Sequence, residues 1–353
     1  MKKTDFVFIF SLFMLWRIAL FLFLFLALNF VPLQQNFLGG GMQRYLSNPW
    51  LWSWINFDGE HYLSLVKVGY QPLTYFYFPV FPMVTRFIGN ILGDGEKALS
   101  GLLVSNISFV VGLVGFYKLI LLDFDRKVAK AAIFLLLFFP TSFFFASYYT
   151  ESLFFALVVW FFYFMRVKKW FMVVVLGSLA SATRIIGATL LVPFGLMGYM
   201  YFLQQKTGDA LAFMHDITIF GDQRSSKLIL LPQVFYRYFV RIIPSLDYSY
   251  FPVVFSTFLE IFIAVLFLVL LIAGIKKIRS SYLIYGALAY LIPSLSGSFS
   301  SFPRYALVIF PVFITGAIYF LKLPKLLQIF IFAISFVGLG IATAFFTRGT
   351  WIA

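Results

Sequence analysis

"FVFIFSLFMLWRIALFLFLFLALNFV", residues 6 to 31, is apolar almost from end to end. An α-helix needs about 20 such residues to cross the ~30 Å hydrocarbon layer of a bilayer. The run is too long for the apolar core of a secretory signal, and no small-residue cleavage site follows it. With Lys2 and Lys3 ahead of it, it reads as a first transmembrane helix whose N-terminus stays in the cytoplasm. Comparable runs recur along the chain, while the weak alternating pattern of an outer-membrane barrel does not. Composition agrees: 62% of residues are apolar, 22% aromatic and only 11% charged, and the mean hydropathy of +0.96 lies far from that of soluble domains. The fold class is therefore all-α and polytopic, a single membrane-embedded domain over residues 1–353.

A net charge of +14 would point to nucleic acid in a soluble protein. Here the basic residues sit in short clusters between apolar runs, where they mark cytoplasmic loops, so no nucleic-acid partner is expected. Such clusters occur at Arg126, Lys127 and Lys130, at Arg166, Lys168 and Lys169, at Lys276, Lys277 and Arg279, and at Lys322 and Lys325. They place helices at about 98–122, 128–147, 150–166, 170–187, 250–274, 281–296, 303–321 and 325–346. Parity then makes residues 75–92, which carry Pro79 and Pro82, an interfacial or re-entrant helix in the first extracytoplasmic loop. The stretch 188–249 stays open, with Leu190 to Leu203 either a crossing or a return, and about ten transmembrane helices are expected in all. The chain has no cysteine and only His61 and His215 as imidazoles, which excludes disulfides, a thiolate nucleophile and a cysteine-ligated zinc and argues against any resident metal.

These anchors send four polar segments to the outer face: the loop around Asp58, residues 140–152, the region of Arg184, and residues 294–305. Ionisable groups at membrane depth are costly and usually line a functional cavity. "FDGEHY", residues 57–62, gathers Asp58, Glu60 and His61 in a chain with 13 acidic residues and two histidines. Asp58 reads as a helix N-cap or as a base that takes a proton from an acceptor hydroxyl, with Glu60 and His61 orienting it or binding substrate. Glu151 is the only acid between Arg126 and Gln205. It reads either as a first-turn carboxylate favoured by the helix dipole or, among Tyr148, Tyr149 and Ser152, as part of a hydroxyl-lined wall for a sugar. Arg184 and Arg304 read as snorkelling side chains at helix ends or as forked binders of a lipid-linked phosphate. Lys67 and Arg86 are weaker candidates for that task. The chain carries no P-loop, dinucleotide-binding glycine motif, HExxH or GxSxG, so nucleotide-driven transport, redox chemistry, zinc proteolysis and serine hydrolysis find no support.

In order along the chain, "FDGEHYLSLVKVGY", "FPVFP", "FFPTSFFFASYYTESLF", "ATRIIG", "GDALAF" and "SFPRYALVIFP" resemble the motifs of the PIG-V family of GT-C glycosyltransferases, which includes the second mannosyltransferase of GPI-anchor synthesis. The chain departs from that pattern at Phe57 and Ala210, which replace a tryptophan and a proline, and over residues 220–224. The resemblance implies a GT-C-type fold and a polyprenyl-phosphate sugar donor, most often of mannose. It also implies a glycolipid or glycan acceptor, no soluble cofactor, and Asp58 as the base. Glu60, His61, Tyr149, Glu151, Arg184, Arg304 and Tyr305 are then the substrate-binding candidates, in an inverting transfer at the outer face of a prokaryotic cytoplasmic membrane, or of the endoplasmic reticulum in a eukaryote. A transporter or flippase for a lipid-linked saccharide and a non-catalytic membrane subunit are the alternatives. Neither needs Asp58 as a base.

Overall fold

The computed structural model describes residues 2–93, 96–216, 229–295 and 297–352, and among these the regular elements are helices without a strand. Helix α1 (Lys3–Phe30) leads into two short helices, α2 (Gly41–Ser47) and α3 (Pro49–Trp52), then α4 (Asp58–Val68) and α5 (Val80–Leu92). The next group is α6 (Lys97–Ile120), α7 (Arg126–Leu137), α8 (Glu151–Arg166), α9 (Trp170–Ser181) and α10 (Phe194–Thr207), followed by the short α11 (Ala212–His215) and α12 (Leu231–Tyr236). The last group is α13 (Phe251–Ala273), α14 (Ser280–Ser294), α15 (Phe302–Tyr305), α16 (Phe310–Phe320) and α17 (Lys325–Thr347).

Four of these, α1, α6, α13 and α17, are long and apolar enough to cross a membrane. A fifth crossing arises if the segment Phe302–Val308 and α16, which meet at 81°, are one broken span. The membrane character read from the composition is thus carried by helices of the required length. The eight crossings placed from the basic clusters are shorter in several cases. Helix α7 stops at Leu137, and Pro140 and a 3₁₀ turn over Ser142–Ala146 occupy the rest of the expected 128–147 helix. Helix α9 stops at Ser181, ahead of Arg184, and α14 spans 15 residues. Within residues 75–92 a helix forms as α5 from Val80, which buries Phe81, Pro82, Thr85 and Gly89 and exposes Met83, Phe87 and Ile91. Leu190 to Leu203 divides between the end of a 3₁₀ turn and the 14-residue α10.

In α1 the buried residues Ile9, Phe13, Trp16, Leu20, Leu24 and Ala27 recur every third or fourth position, one face of a 3.6-residue helix. The opposite face is equally apolar and exposed, as lipid contact requires. Small residues let the inner helices approach closely. A Cβ on Gly101 of α6 would lie 2.0 Å from Cε2 of Tyr148, so only glycine admits that ring. Tyr148 in turn donates its backbone N–H to Trp54 O at 2.9 Å and fixes the entry to α8 against the first loop.

The two ends of the helix set differ in chemistry. At one end Asp123 holds Arg166 at 2.5 Å and Arg279 at 2.9 Å, and Asp5 near the start of α1 faces Arg126 at 3.6 Å. Helix α8 runs from Glu151 to Arg166, roughly 24 Å, and so separates this basic end from the one that carries Glu151.

Candidate functional site

Asp58 is the first residue of α4 and does not cap it: its oxygens turn inward, Oδ2 to Arg304 Nη1 at 2.5 Å and Oδ1 to the Tyr77 hydroxyl at 3.1 Å. The residue before it sets that direction. Phe57 has φ 57° and ψ −123°, a conformation an L residue adopts at a cost of about 1–3 kcal/mol. Its ring is locked against Trp351 (5.0 Å between centroids), Phe346 (5.8 Å) and Phe37 (6.2 Å). Asn56, fully buried, anchors the turn from behind: Oδ1 accepts from Gly39 N at 2.9 Å and Nδ2 donates to Phe346 O at 2.9 Å.

Arg304 comes from α15, a four-residue helix at the bend before α16. Besides Asp58 it faces Glu151 Oε1 at 3.3 Å, and Glu151 Oε1 also holds Arg184 Nη1 at 2.5 Å. The four charges form a row, Asp58, Arg304, Glu151, Arg184, that alternates in sign and sums to zero. Glu151 is 1% exposed, Arg304 6% and Arg184 9%, so three of the four charges are removed from water, while the Asp58 side chain at the end of the row stays 22% exposed. The pairing is incomplete, since Glu151 Oε2 and Arg304 Nε are buried without a hydrogen-bond partner. Both guanidinium groups lie over the Tyr305 ring, at 4.9 and 5.0 Å, and Arg304 Nη2 donates to the Tyr305 hydroxyl at 3.3 Å.

Electrostatics follow the geometry. Burial alone would raise the Asp58 carboxyl, but the Arg304 guanidinium outweighs it and holds the group below its ordinary value. Burial, and then the Asp58 charge, push the Tyr77 phenol well above its ordinary value, so it stays a donor. Glu60 is half-buried, and burial raises its carboxyl, with His61 opposing.

The structure thus joins Asp58, Glu151, Arg184, Arg304 and Tyr305. Glu60 and His61 stand beside this row rather than in it; His61 is exposed and stacks on Tyr77 at 5.6 Å. The hydroxyl-lined wall does not form. Tyr148 OH is bonded to Lys97 O, Tyr149 OH to Asn56 O, and Ser152 Oγ to Phe145 O, so Tyr149 supports the loop and lends its ring to Arg304 at 5.4 Å. Arg86 caps the end of α4 through Leu65 O and Val66 O, and Lys67 is exposed. Asp209 of "GDALAF" pairs with His215 in an exposed turn outside the row, and the departure at 220–224 lies outside the described residues. Among the described residues no three histidine or acidic side chains are placed to hold a metal.

Sequence reasoning missed Tyr77 and Asn56, which carry no signal of scarcity in a chain with 20 tyrosines. It also missed Glu260, buried in α13 and bonded to Tyr238 OH at 2.6 Å. A lone carboxylate inside a long apolar run was the available signal. The chain matches no protein-family model, and no curated protein is significantly similar to it.

Proposed function

We propose that the chain is a membrane glycosyltransferase of the PIG-V-like GT-C type, in which the shorter helices α7, α8, α9 and α14 complete further crossings towards about ten. It moves a sugar, mannose in the simplest case, from a polyprenyl-phosphate donor to a hydroxyl at the extracytoplasmic face. The observation that carries this reading is the buried row itself: it draws one charged residue from each of four motif segments, residues 57–70, 138–154, 182–187 and 301–311.

In the proposed reaction Asp58 takes the proton of the acceptor hydroxyl as its oxygen attacks the anomeric carbon from the face opposite the phosphate. The bond from that carbon to the phosphate oxygen breaks, its electron pair stays on the phosphate, and the configuration inverts. A phosphodiester is a good enough leaving group that one carboxylate suffices. Arg304 and Arg184 stabilise the charge that grows on the departing phosphate. A base paired with Arg304 at 2.5 Å is a weak one. The donor phosphate competes for the same guanidinium, so donor binding is what frees Asp58 to act.

The test is transfer of radiolabelled mannose from polyprenyl-phosphate mannose to total membrane lipids. Loss of a general base lowers turnover about 10²–10⁴-fold, the outcome expected of Asp58→Asn. Full transfer by a folded Asp58→Asn protein would refute the assignment. Loss confined to Glu60→Gln would move the base to Glu60, the carboxylate of the loop that no arginine holds among the described residues.

A further inference from the structure

Glu260 is buried in α13, a helix long and apolar enough to cross a membrane, and among the described residues no arginine or lysine pairs with it. An ionisable group in such a helix is costly and rare, and an apolar side chain would avoid the cost, so its presence calls for a use. The buried row does not include it.

The hydrogen bonds around Glu260 lead to the row nonetheless. Its Oε2 accepts from the hydroxyl of Tyr238, a buried residue of the π-helical turn Arg237–Ile242 that follows α12. Because that hydroxyl donates to Glu260, its oxygen is left free to accept. Phe299 N donates to it at 3.1 Å, and the Ser298 hydroxyl lies 3.3 Å away. Ser298 Oγ in turn accepts from Ser300 N at 3.0 Å, while Arg237 Nη1 donates to Gly297 O at 3.2 Å. One carboxylate thus fixes the direction of a hydroxyl on which three consecutive residues, Ser298 to Ser300, depend.

Those residues lead straight into Arg304. Ser301 follows them with φ 65°, a left-handed conformation that costs an L residue about 1–3 kcal/mol and persists only where the surroundings hold it. Ser301 O accepts from Arg304 N at 3.2 Å and so starts α15. The Phe299 ring is locked against Phe235, Tyr238 and Phe302, with centroids 4.9, 5.1 and 5.7 Å apart. A second tie reaches α15 from Thr141, whose Oγ1 donates to Pro303 O at 2.7 Å. Between these two ties the Arg304 guanidinium has to meet Asp58 and Glu151 together.

We propose that Glu260 is a positioning residue for Arg304: through the Tyr238 hydroxyl it holds residues 298–301 in the shape that presents the guanidinium to the donor phosphate. The tie stands on geometry alone, and the role it serves rests on the glycosyltransferase reading.

Two measurements on the purified full-length protein separate the tie from that reading. The first needs no activity. In a chain without cysteine, Ser300→Cys places a single thiol on the half-buried loop. Its reaction with a maleimide should be about tenfold faster when Glu260→Leu or Tyr238→Phe is added, as for loss of a hydrogen bond to a charged group. Unchanged labelling would overturn the tie. The second is the KM for polyprenyl-phosphate mannose, which either substitution should raise about threefold to tenfold. A merely structural role lowers the active fraction and hence the turnover at unaltered donor KM, and that result would overturn the positioning role. Glu260→Gln keeps an acceptor oxygen and should restore both readouts; failure to restore them would show that the hydrogen bond is not the means. Should Glu260→Leu fail to fold, Tyr238→Phe decides alone. Absence of transfer by wild type would refute the glycosyltransferase reading and the role in donor binding, while labelling still decides the tie.

Discussion

Each residue of the buried row is stable only because of the one beside it. Arg304→Gln leaves the partly buried Asp58 carboxylate, and the buried Glu151 beside it, short of a counter-charge, a loss of up to about 3 kcal/mol for a broken buried pair. Adding Asp58→Asn removes the stranded charge. The double variant should therefore melt at a higher temperature than Arg304→Gln while remaining inactive in mannose transfer; a double variant less stable than either single one would show that the pair is not what couples them. The pH dependence has a definite sign. A carboxyl depressed in the folded state stabilises the fold above its ordinary value of 3.8 and loses that contribution as pH falls through the lower folded value. In activity, kcat/KM reports the free enzyme and kcat the loaded one. If the donor phosphate draws Arg304 away, the acid limb of kcat should lie at higher pH than that of kcat/KM, and coincident limbs would mean Arg304 never leaves Asp58. The row itself was legible because charge is scarce in this chain: Asp58, Glu151, Arg184 and Arg304 each interrupt an apolar stretch. Tyr148 and Tyr149 were misread because their ring and hydroxyl roles depend on where Gly101 and Asn56 fall in space, which spacing along the chain does not encode.

At the scale of elements, the site depends on close packing between α6 and the entry to α8. Gly101→Ala places a methyl group inside the Tyr148 ring position, and overpacking of this kind costs about 1–3 kcal/mol. Because Tyr148 N is bonded to Trp54 O, the displacement passes to the loop that carries Asp58. The expected result is a lower melting temperature together with reduced transfer; unchanged values in both measurements would mean that the ring has room to move. The existence of most helices was legible from apolar runs and basic clusters, but their ends were not. The break after Leu137, the short α9 and the 81° bend between the segment Phe302–Val308 and α16 all occur inside runs that remain apolar. Hydropathy is blind to such breaks, since the residues on both sides of them are equally at home in lipid.

For the whole molecule, the acidic tie at Asp123 and the buried row mark opposite ends of the helix set. The absence of native cysteine makes orientation directly measurable. His61→Cys and Lys168→Cys, both at exposed positions, should react with a membrane-impermeant maleimide from opposite sides, His61→Cys from outside intact cells and Lys168→Cys only after permeabilisation. Labelling of both from the same side would contradict the orientation read from the basic clusters. The connection between the Asp58 loop and α17 has a further consequence, in time. Asn56 is bonded to Phe346 O, 290 residues away, and Arg348 Nε to Val31 O, 317 residues away. During synthesis the first loop emerges long before the helix that clasps it. Asp58 therefore cannot take up its place in the row until α17 has entered the membrane. If the row carries the proposed transfer, a partly made chain stays inert, and competence comes only at the end of translation.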